Sequence, residues 1–515
     1  MSQYLLGIDI GTQNSKGILV NLEGEIFSKL TLGHNISIPQ KSWAEHNAEK
    51  IWWSDFKKIC RSLIKQAQIN AKDIVAIGCS GLAPTMLPVD KNGKPLRRAI
   101  LYGIDTRSSK EIKWINQILG KDEIFKISGQ ALSTQSVGPK ILWFKKHEPQ
   151  KFKETHKILS TNSFLIYKLT GKYAIDMSTA IFFGPLFNFQ KMKWADKICD
   201  EIGIPFSILP NIYYPAKVVG EVTSKASKET GLSIGTPVIA GAPDAFAEAT
   251  GSGAIKEGEV FLVYGTTMTI IACLKYPKTH IKLWSNIHYV PNIFTLLGGM
   301  ATSGALTRWF KDNFAQDDVE SEKKTGINVY HLLSEKAAKI SIGSEGLIVL
   351  PYFSGERTPI DDELARGVIM GLTLSHTKKH LYRALLEGTA YGVEHHLDIM
   401  REMSISPKKI IAAGGGAENH TWTQIVSDVT GLKQICIKEN GFSAPYGDAY
   451  MAGYGAGLFK DFTTLREKWV KIIKTTEPNL KAHKEYKEYY RVYRKLYNHI
   501  KEDMHKLAEL SLKPL

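Results

Sequence analysis

Two short runs in this chain have the residue types of phosphate-binding loops. In Asp9-Ile10-Gly11-Thr12-Gln13-Asn14-Ser15-Lys16, a carboxylate ends an apolar run just ahead of a turn that carries backbone N–H groups, hydroxyls and a lysine. Such a turn is a nest for an anion, and a strand-end aspartate can hold Mg²⁺ through water. Tyr264-Gly265-Thr266-Thr267 repeats the Gly-Thr pair about half a chain later. Either turn alone is also an ordinary hairpin. The second copy favours the phosphate reading, because two loops facing each other across a cleft would grip a polyphosphate from both sides.

A third run, Ala413-Gly414-Gly415-Gly416-Ala417-Glu418-Asn419, places three glycines where a flat ligand such as a nucleoside can lie on the backbone. A close strand-to-helix turn is the alternative. Neither a GxGxxG fingerprint nor a GxxxxGK[ST] loop is present, so a nucleotide would bind in neither of those two arrangements. The sharpest single candidate is Asp244 in Ala240-Gly241-Ala242-Pro243-Asp244-Ala245-Phe246, one acidic side chain among small residues at the end of an apolar run. There it can accept the proton of a hydroxyl that attacks phosphorus. It can equally be a helix N-cap, a position that favours Asp.

These residues need elements to hold them. Tyr4 to Ile10 reads as a buried strand, Gly17 to Val20 as its return, and Glu25 to Leu32 as a third strand. Glu259 to Val263 and Met268 to Leu274 repeat the strand, Gly-Thr turn, strand order, which points to an internal duplication. Ile74 to Gly78, Val238 to Ala240 and Lys409 to Ala413 read as buried strands. Ala48 to Lys65, Gln135 to Lys146, Lys378 to Glu402 and Trp422 to Gly431 read as helices. The expectation is α/β in both halves, with a compact hinge near Gly251 to Gly258 and a ligand cleft between two lobes. The division expected is 1–252, 253–460 and a helical extension over 461–515.

The 515 residues suffice for two cores. Lys and Arg number 66 against 51 Asp and Glu, a formal charge of +15 that is spread thinly. The densest basic stretch, Lys481 to Lys506, carries Tyr486, Tyr489, Tyr490, Tyr493 and Tyr497 at helical spacing, which reads as the apolar stripe of a closing helix rather than a nucleic-acid surface. The five cysteines show no metal or CxxC spacing, so reduced core thiols in a cytoplasmic protein are expected. No run approaches a membrane span, and the N-terminus does not read as a signal peptide.

The motifs together resemble the FGGY carbohydrate kinases from about Tyr4 to Gly457. The residues that carry the resemblance are GIDIGTQNSKG from Gly7, SVGPKILWFKKHEP from Ser136, KLTGKYAIDMSTA from Lys168, YGTTMT from Tyr264, PYFSGERTPIDDELARGVIMGLTLSH from Pro351 and HLYRALLEG from His380. It implies two actin-like (ribonuclease H-like) domains around a catalytic cleft and transfer of the γ-phosphoryl group of ATP to a sugar hydroxyl. It further implies Asp244 as catalytic base and Asp9 near Mg²⁺. Gly11, Thr12, Gln13, Asn14, Ser15 and Lys16 would meet the phosphates together with Gly265, Thr266 and Thr267, and Gly415, Gly416, Ala417 and Asn419 would meet adenosine. Domain closure on the sugar is part of the same expectation.

The SGERTP run is most similar to xylulokinases. Those carry Gln-Met-His-Gly after Ser-Gly, where this chain has Leu82-Ala83-Pro84-Thr85, and a Trp where it has Tyr102; Asp105 and Arg107 match. Ala83, Pro84, Thr85, Asp105, Arg107 and Asp244 are the expected sugar contacts, and a ketopentose such as D-xylulose the expected acceptor. Ribulose, gluconate, ribitol, erythritol and glycerol are the alternatives within the same chemistry. A chaperone-like ATPase lacks room for a peptide-binding domain after Gly457, and a non-catalytic sensor is disfavoured by the retained Asp9, Asp244 and both Gly-Thr loops. A homodimer is left open; nucleic acid and membrane are not expected partners.

Overall fold

The run Tyr4–Ile10 is buried at every position, as a strand covered on both sheet faces must be. The computed structural model, which describes residues 3–438 and 440–511, places it at the centre of an α/β unit made of Met1–Ile255, Lys275–Thr295 and Phe442–Lys471. Lys256–Leu274, Leu296–Gly441 and Ile472–Leu515 form a second unit. This differs from the contiguous division at residues 252 and 460, because two later stretches fold back to complete the first unit.

The strands of the first unit are β1 (Tyr4–Ile10), β2 (Asn14–Asn21), β3 (Ile26–Gly33), β4 (Ile74–Gly81), β5 (Val218–Glu221), β6 (Pro237–Ile239) and β7 (Ala242–Pro243). Their order is β5-β6-β4-β1-β2-β3, with β7 also on β4. β1 pairs antiparallel with β2 and parallel with β4, while β6 and β7 both run parallel to β4. In the second unit, β8 (Glu259–Tyr264), β9 (Met268–Leu274), β10 (Phe294–Met300), β11 (Lys409–Ala413), β12 (Gln434–Ile437) and β13 (Ile472–Thr476) lie in the order β10-β9-β8-β11-β12-β13. β8 pairs antiparallel with β9 and parallel with β11, the arrangement of β1 with β2 and β4.

The helices that bear on the site are, in chain order, α1 (Ser54–Ala67), α2 (Asp244–Gly251), α3 (Gly304–Phe314), α4 (Lys378–Glu402), α5 (His420–Thr430), α6 (Ser443–Gly455) and α7 (Leu480–Ser511). α4 has the bounds its periodicity gives. The helix expected from Ala48 opens with a π turn over Glu49–Trp53 before α1, and the one expected from Gln135 spans Val137–His147. Along α7, Tyr486, Tyr490, Tyr493 and Tyr497 are buried, and the hydroxyls of Tyr486 and Tyr490 reach Glu387 (2.9 Å) and Asp398 (2.6 Å) on α4. The tyrosine stripe is therefore packing. All five cysteines are buried and free of disulfides. Among the described residues no helix is long and apolar enough to cross a membrane.

α6 lies so close to the first sheet that only glycine fits beneath it. A Cβ on Gly7 would sit 1.8 Å from the Pro445 carbonyl oxygen, and one on Gly78 would sit 2.2 Å from that of Asp448. α2 and α6 cross just as tightly, since a Cβ on Gly251 would meet the Ser443 oxygen at 1.9 Å and one on Gly447 the Ala247 oxygen at 2.1 Å. The colliding atoms are backbone, so no rotamer change relieves the clash. Gly447→Ala is expected to lower stability by about 1–3 kcal/mol, the usual range for overpacking a tight contact; urea unfolding measures it, and an unchanged midpoint would contradict the packing described.

Candidate active site

Parallel pairing brings three chain segments to one edge. In register, Asp9 lies beside Ser80 and Ile10 beside Gly81, while on the other side of β4 Ala242 pairs with Ser80 and Pro243 with Gly81. Asp9, Ser80 and Asp244 thus emerge together at the carboxyl ends of β1, β4 and β7, the edge where open α/β sheets place their ligands. Asp9 also lies opposite Lys16 on β2. A cross-strand pair of this kind sets a cation beside the carboxylate.

Asp244 is the first residue of α2, and Pro243 holds the cap position. Its Oδ1 accepts only the N–H of Ala245, at 2.8 Å, so it does not cap the helix in the usual way. The side chain is partly accessible. Burial first, and then the nearby charge of Asp9, raise its carboxyl well above the usual range. Burial also lifts Asp9 to about 6 against the opposing pull of Lys16 and Ser80, and lifts Glu248, one turn beyond Asp244, to about 7.

Sequence reasoning missed a fourth carboxyl group. Asp448 on α6 is buried, with Oδ2 2.6 Å from Ser80 Oγ, which itself stands 3.1 Å from Asp9 Oδ1. One hydroxyl proton cannot serve two carboxylates, so one carboxyl group must bring its own. Asp448 is that group: burial raises it well above its ordinary value, and the Tyr289 hydroxyl donates to its Oδ1 at 3.1 Å. The only sequence signal was an acidic residue in the small-residue helix Ser443–Gly455. Among the described residues, no three Asp, Glu, His or Cys side chains converge closely enough to hold a metal ion unaided. Hard carboxylate oxygens without a closed cage suit Mg²⁺, which keeps its waters and takes phosphate oxygens as ligands.

Several expected contacts turn inward. Ser15 is buried and its hydroxyl donates to Asp55 at 2.8 Å, so it is not available to a phosphate. Gly11, Thr12, Gln13, Asn14 and Lys16 remain at least partly accessible. Pro84 is buried, and Thr85 is fully buried with its hydroxyl 3.1 Å from that of Thr161. Asp105 and Arg107 are enclosed as an ion pair at 2.6 Å; Asp105 also accepts the Ala44 N–H, and Arg107 reaches Glu45 and lies over the Trp43 ring. Both side chains are fully enclosed, so neither faces a sugar. They fix the loop instead. Of that set, Ala83 and Asp244 are partly accessible, whereas Arg107 is so only through its backbone.

The second unit holds a cavity of about 710 Å³ lined by Tyr264, Gly265, Thr266, Gly415, Gly416 and Asn419 of the expected set. Its size lies in the usual range for small-molecule sites. Thr267 and Ala417 do not line it, and Ala417 is buried. Arg308, Tyr330, His331, Glu335 and Tyr382 complete the wall and carried no sequence signal. Backbone N–H groups at the start of α3 bond the loop: Gly304 to the Gly265 oxygen at 2.8 Å and Ala305 to that of Thr266 at 3.1 Å. Gly416 lies against Trp422, where a Cβ would come within 2.7 Å of the ring, whereas one on Gly415 would meet nothing within 4 Å. Asn419 accepts the Trp422 N–H at 3.0 Å and so caps α5 as well as lining the cavity.

Comparison with known proteins agrees along the whole chain. Residues 4–251 match the N-terminal domain, and residues 260–456 the C-terminal domain, of the FGGY family of carbohydrate kinases. The xylulose kinase of Bacillus subtilis (strain 168) is 28% identical over 505 residues, covering 97% of this chain and 98% of that protein. The gluconokinase of the same organism is 28% identical over 469 residues, covering 91% and 90%. The crystal structure of xylulose kinase from Rhodospirillum rubrum superposes with a TM-score of 0.90 at 27% identity, over 98% of this chain and all of that one.

A protonated Asp448 has a consequence for stability. The folded chain holds a proton there that the unfolded chain releases near pH 4, so this group's contribution to stability falls as pH rises toward the folded value. Asp448→Asn, whose amide can replace the carboxylic acid, is expected to match or exceed the parent in thermal melts at pH 8. Asp448→Ala is expected to lose about 1–3 kcal/mol by leaving Ser80 and Tyr289 unpaired. An Asn variant as unstable as the Ala variant would mean that Asp448 is ionised.

Proposed function

This chain belongs to the FGGY family of carbohydrate kinases, as a xylulokinase-like sugar phosphotransferase of two-domain actin-like fold, and from that premise we propose that Asp244 is the general base in transfer of the ATP γ-phosphoryl group to D-xylulose or a related ketopentose. The observation that carries the proposal is the place of Asp244: partly accessible, at the strand-end edge beside Asp9, with its carboxyl raised well above the usual aspartate range by burial and by the charge of Asp9. As the acceptor oxygen bonds to phosphorus and the bond to ADP breaks, the hydroxyl proton passes to Asp244, which later returns it to water.

Asp9 would hold Mg²⁺ through water, and Lys16 would balance the charge of Asp9 and Glu248. Bound there, Mg²⁺ supplies neutralisation of the phosphate charge. Gly11 and Thr12 would present their turn to phosphoryl oxygens. Gly265 and Thr266 would hold phosphates, and Gly415, Gly416 and Asn419 the adenosine, in the cavity of the second unit.

The equal identity to a gluconokinase keeps gluconate as a second acceptor. Charge supports the neutral ketose. Arg107 is spent on Asp105 and Glu45, and Arg97 on Glu45 and Glu148, so neither is left for a carboxylate, while Asp9 and Glu248 stand near the base.

ADP release in a coupled assay with xylulose, ribulose, gluconate, ribitol, erythritol and glycerol tests both points. Xylulose is expected to give the highest kcat/KM, and Asp244→Asn to lower turnover with it by at least about 100-fold. A preference for gluconate would overturn the acceptor, and an active Asn variant the base. Because the carboxyl of Asp244 is raised, activity is expected to fall on acidification at a pH above the ordinary aspartate value near 4. In the residual activity of Asp9→Asn, that limb is expected to move to lower pH as the repelling charge is removed.

A further inference from the structure

The turn Gly11–Asn14 is held from behind by one residue that none of its motifs include. His34, directly after β3, bonds the turn twice: its backbone N–H donates to the Gln13 oxygen at 2.9 Å, and its ring Nε2 lies 3.1 Å from the Gly11 oxygen. A carbonyl only accepts, so Nε2 carries a proton. The other nitrogen, Nδ1, faces Asp55 Oδ2 on α1 at 3.1 Å, and that oxygen already receives the Ser15 hydroxyl. The ring thus joins the turn to α1, with the Ser15 hydroxyl also 3.5 Å from Nδ1. The pair is enclosed, with 7% of the His34 and 9% of the Asp55 side chain exposed.

We propose that His34 is a positioning residue for phosphoryl transfer, which holds the Gly11 carbonyl inward and thereby aims the Thr12 N–H at the phosphoryl group. The reason is the planarity of the peptide, in which a carbonyl and the following N–H point opposite ways. With the Gly11 oxygen fastened to His34, the Thr12 N–H turns away from it. The proposal rests on the reading of this turn as a phosphate loop.

A second histidine backs the ring. His46 meets the His34 ring edge to face at 5.2 Å. Trp52 donates to His46 Nδ1 at 3.1 Å, and burial, reinforced by the charge of His34, lowers His46 to about 4, so it is neutral. Asp55 from α1, Asp9 from β1 and His46 are the titratable groups that face His34.

The test joins kinetics to spectroscopy. In His34→Phe, kcat is expected to fall on the order of 100-fold, the loss that follows a misplacement of about 1 Å, with a raised KM for ATP and an unchanged KM for the sugar. His34→Gln, which keeps an N–H for the Gly11 oxygen, is expected to recover part of that loss. ¹⁵N spectra of histidine-labelled protein, with His34→Gln to identify the signals, are expected to show the proton of His34 on Nε2, the nitrogen that faces the Gly11 carbonyl. A lowered melting temperature with unchanged kcat and KM for ATP would make His34 merely structural and overturn the proposal, as would an unprotonated Nε2. Lys16→Met separates the two readings. If it impairs turnover while His34→Phe does not, the phosphate loop stands and the role of His34 falls; if both variants are silent, the loop reading itself fails.

Discussion

Carboxyl groups taken out of water resist ionising, and they resist more when gathered together. The first unit nevertheless sets Asp9, Asp244, Glu248 and Asp448 around the ends of three parallel strands. Distinct means make this tolerable. Asp448 keeps its proton and shares Ser80 with Asp9; Lys16 sits across the strand pair from Asp9; and the raised values of Asp244 and Glu248 leave charge for a cation and phosphates to compensate. Electrostatic tension of this kind is common where an enzyme needs a base near neutrality.

The constellation exists only because α6 presses onto the sheet. Asp448 reaches Ser80 from a helix far along the chain, and it does so over Gly7 and Gly78, whose missing side chains leave room for the helix backbone. α2, which begins with the proposed base, is locked to the same helix through Gly251 and Gly447. Base, Ser80 partner and Asp9 strand are therefore set by one rigid stack, which is the preorganisation that phosphoryl transfer relies on when the protein contributes position rather than covalent chemistry.

Local order was legible in the sequence and direction was not. The hairpins around Gly11 and Gly265, the helix Lys378–Glu402 and the strand Lys409–Ala413 follow from apolar runs, turns and periodicity, which are properties of neighbours in the chain. Asp244 stood out because small residues surround it. Whether Ser15, Thr85 or Ala417 points toward a ligand or into the core depends on parallel pairings and helix contacts between distant segments, and those three point inward. Asp105 and Arg107 look like a binding pair in one dimension. In three they satisfy each other, along with Glu45 and Ala44. Asp448 and His34 were overlooked for the same reason, since each acquires its meaning from a partner found elsewhere in the chain.

The closed ion pairs also shape how an acceptor is chosen. Arg97 and Arg107, stacked on Trp143 and tied to Glu45, Glu148 and Asp105, form a wall of closed ion pairs that holds the chain from Leu101 to Arg107 in one place. Lys140, fully buried, fastens the same segment by donating to the carbonyls of Leu101 and Thr134. A wall so occupied offers a ligand shape rather than charge. Next to the base, the accessible group on the strand-end loop is the methyl of Ala83, and the Tyr102 hydroxyl is engaged with Thr12 at 3.1 Å. Discrimination among neutral acceptors then depends on fit against apolar surface, a weaker filter than a hydrogen bond to each hydroxyl. On that reasoning the loop at Ala83 would broaden the acceptor range of this kinase and leave the chemistry proposed for Asp244 unaltered.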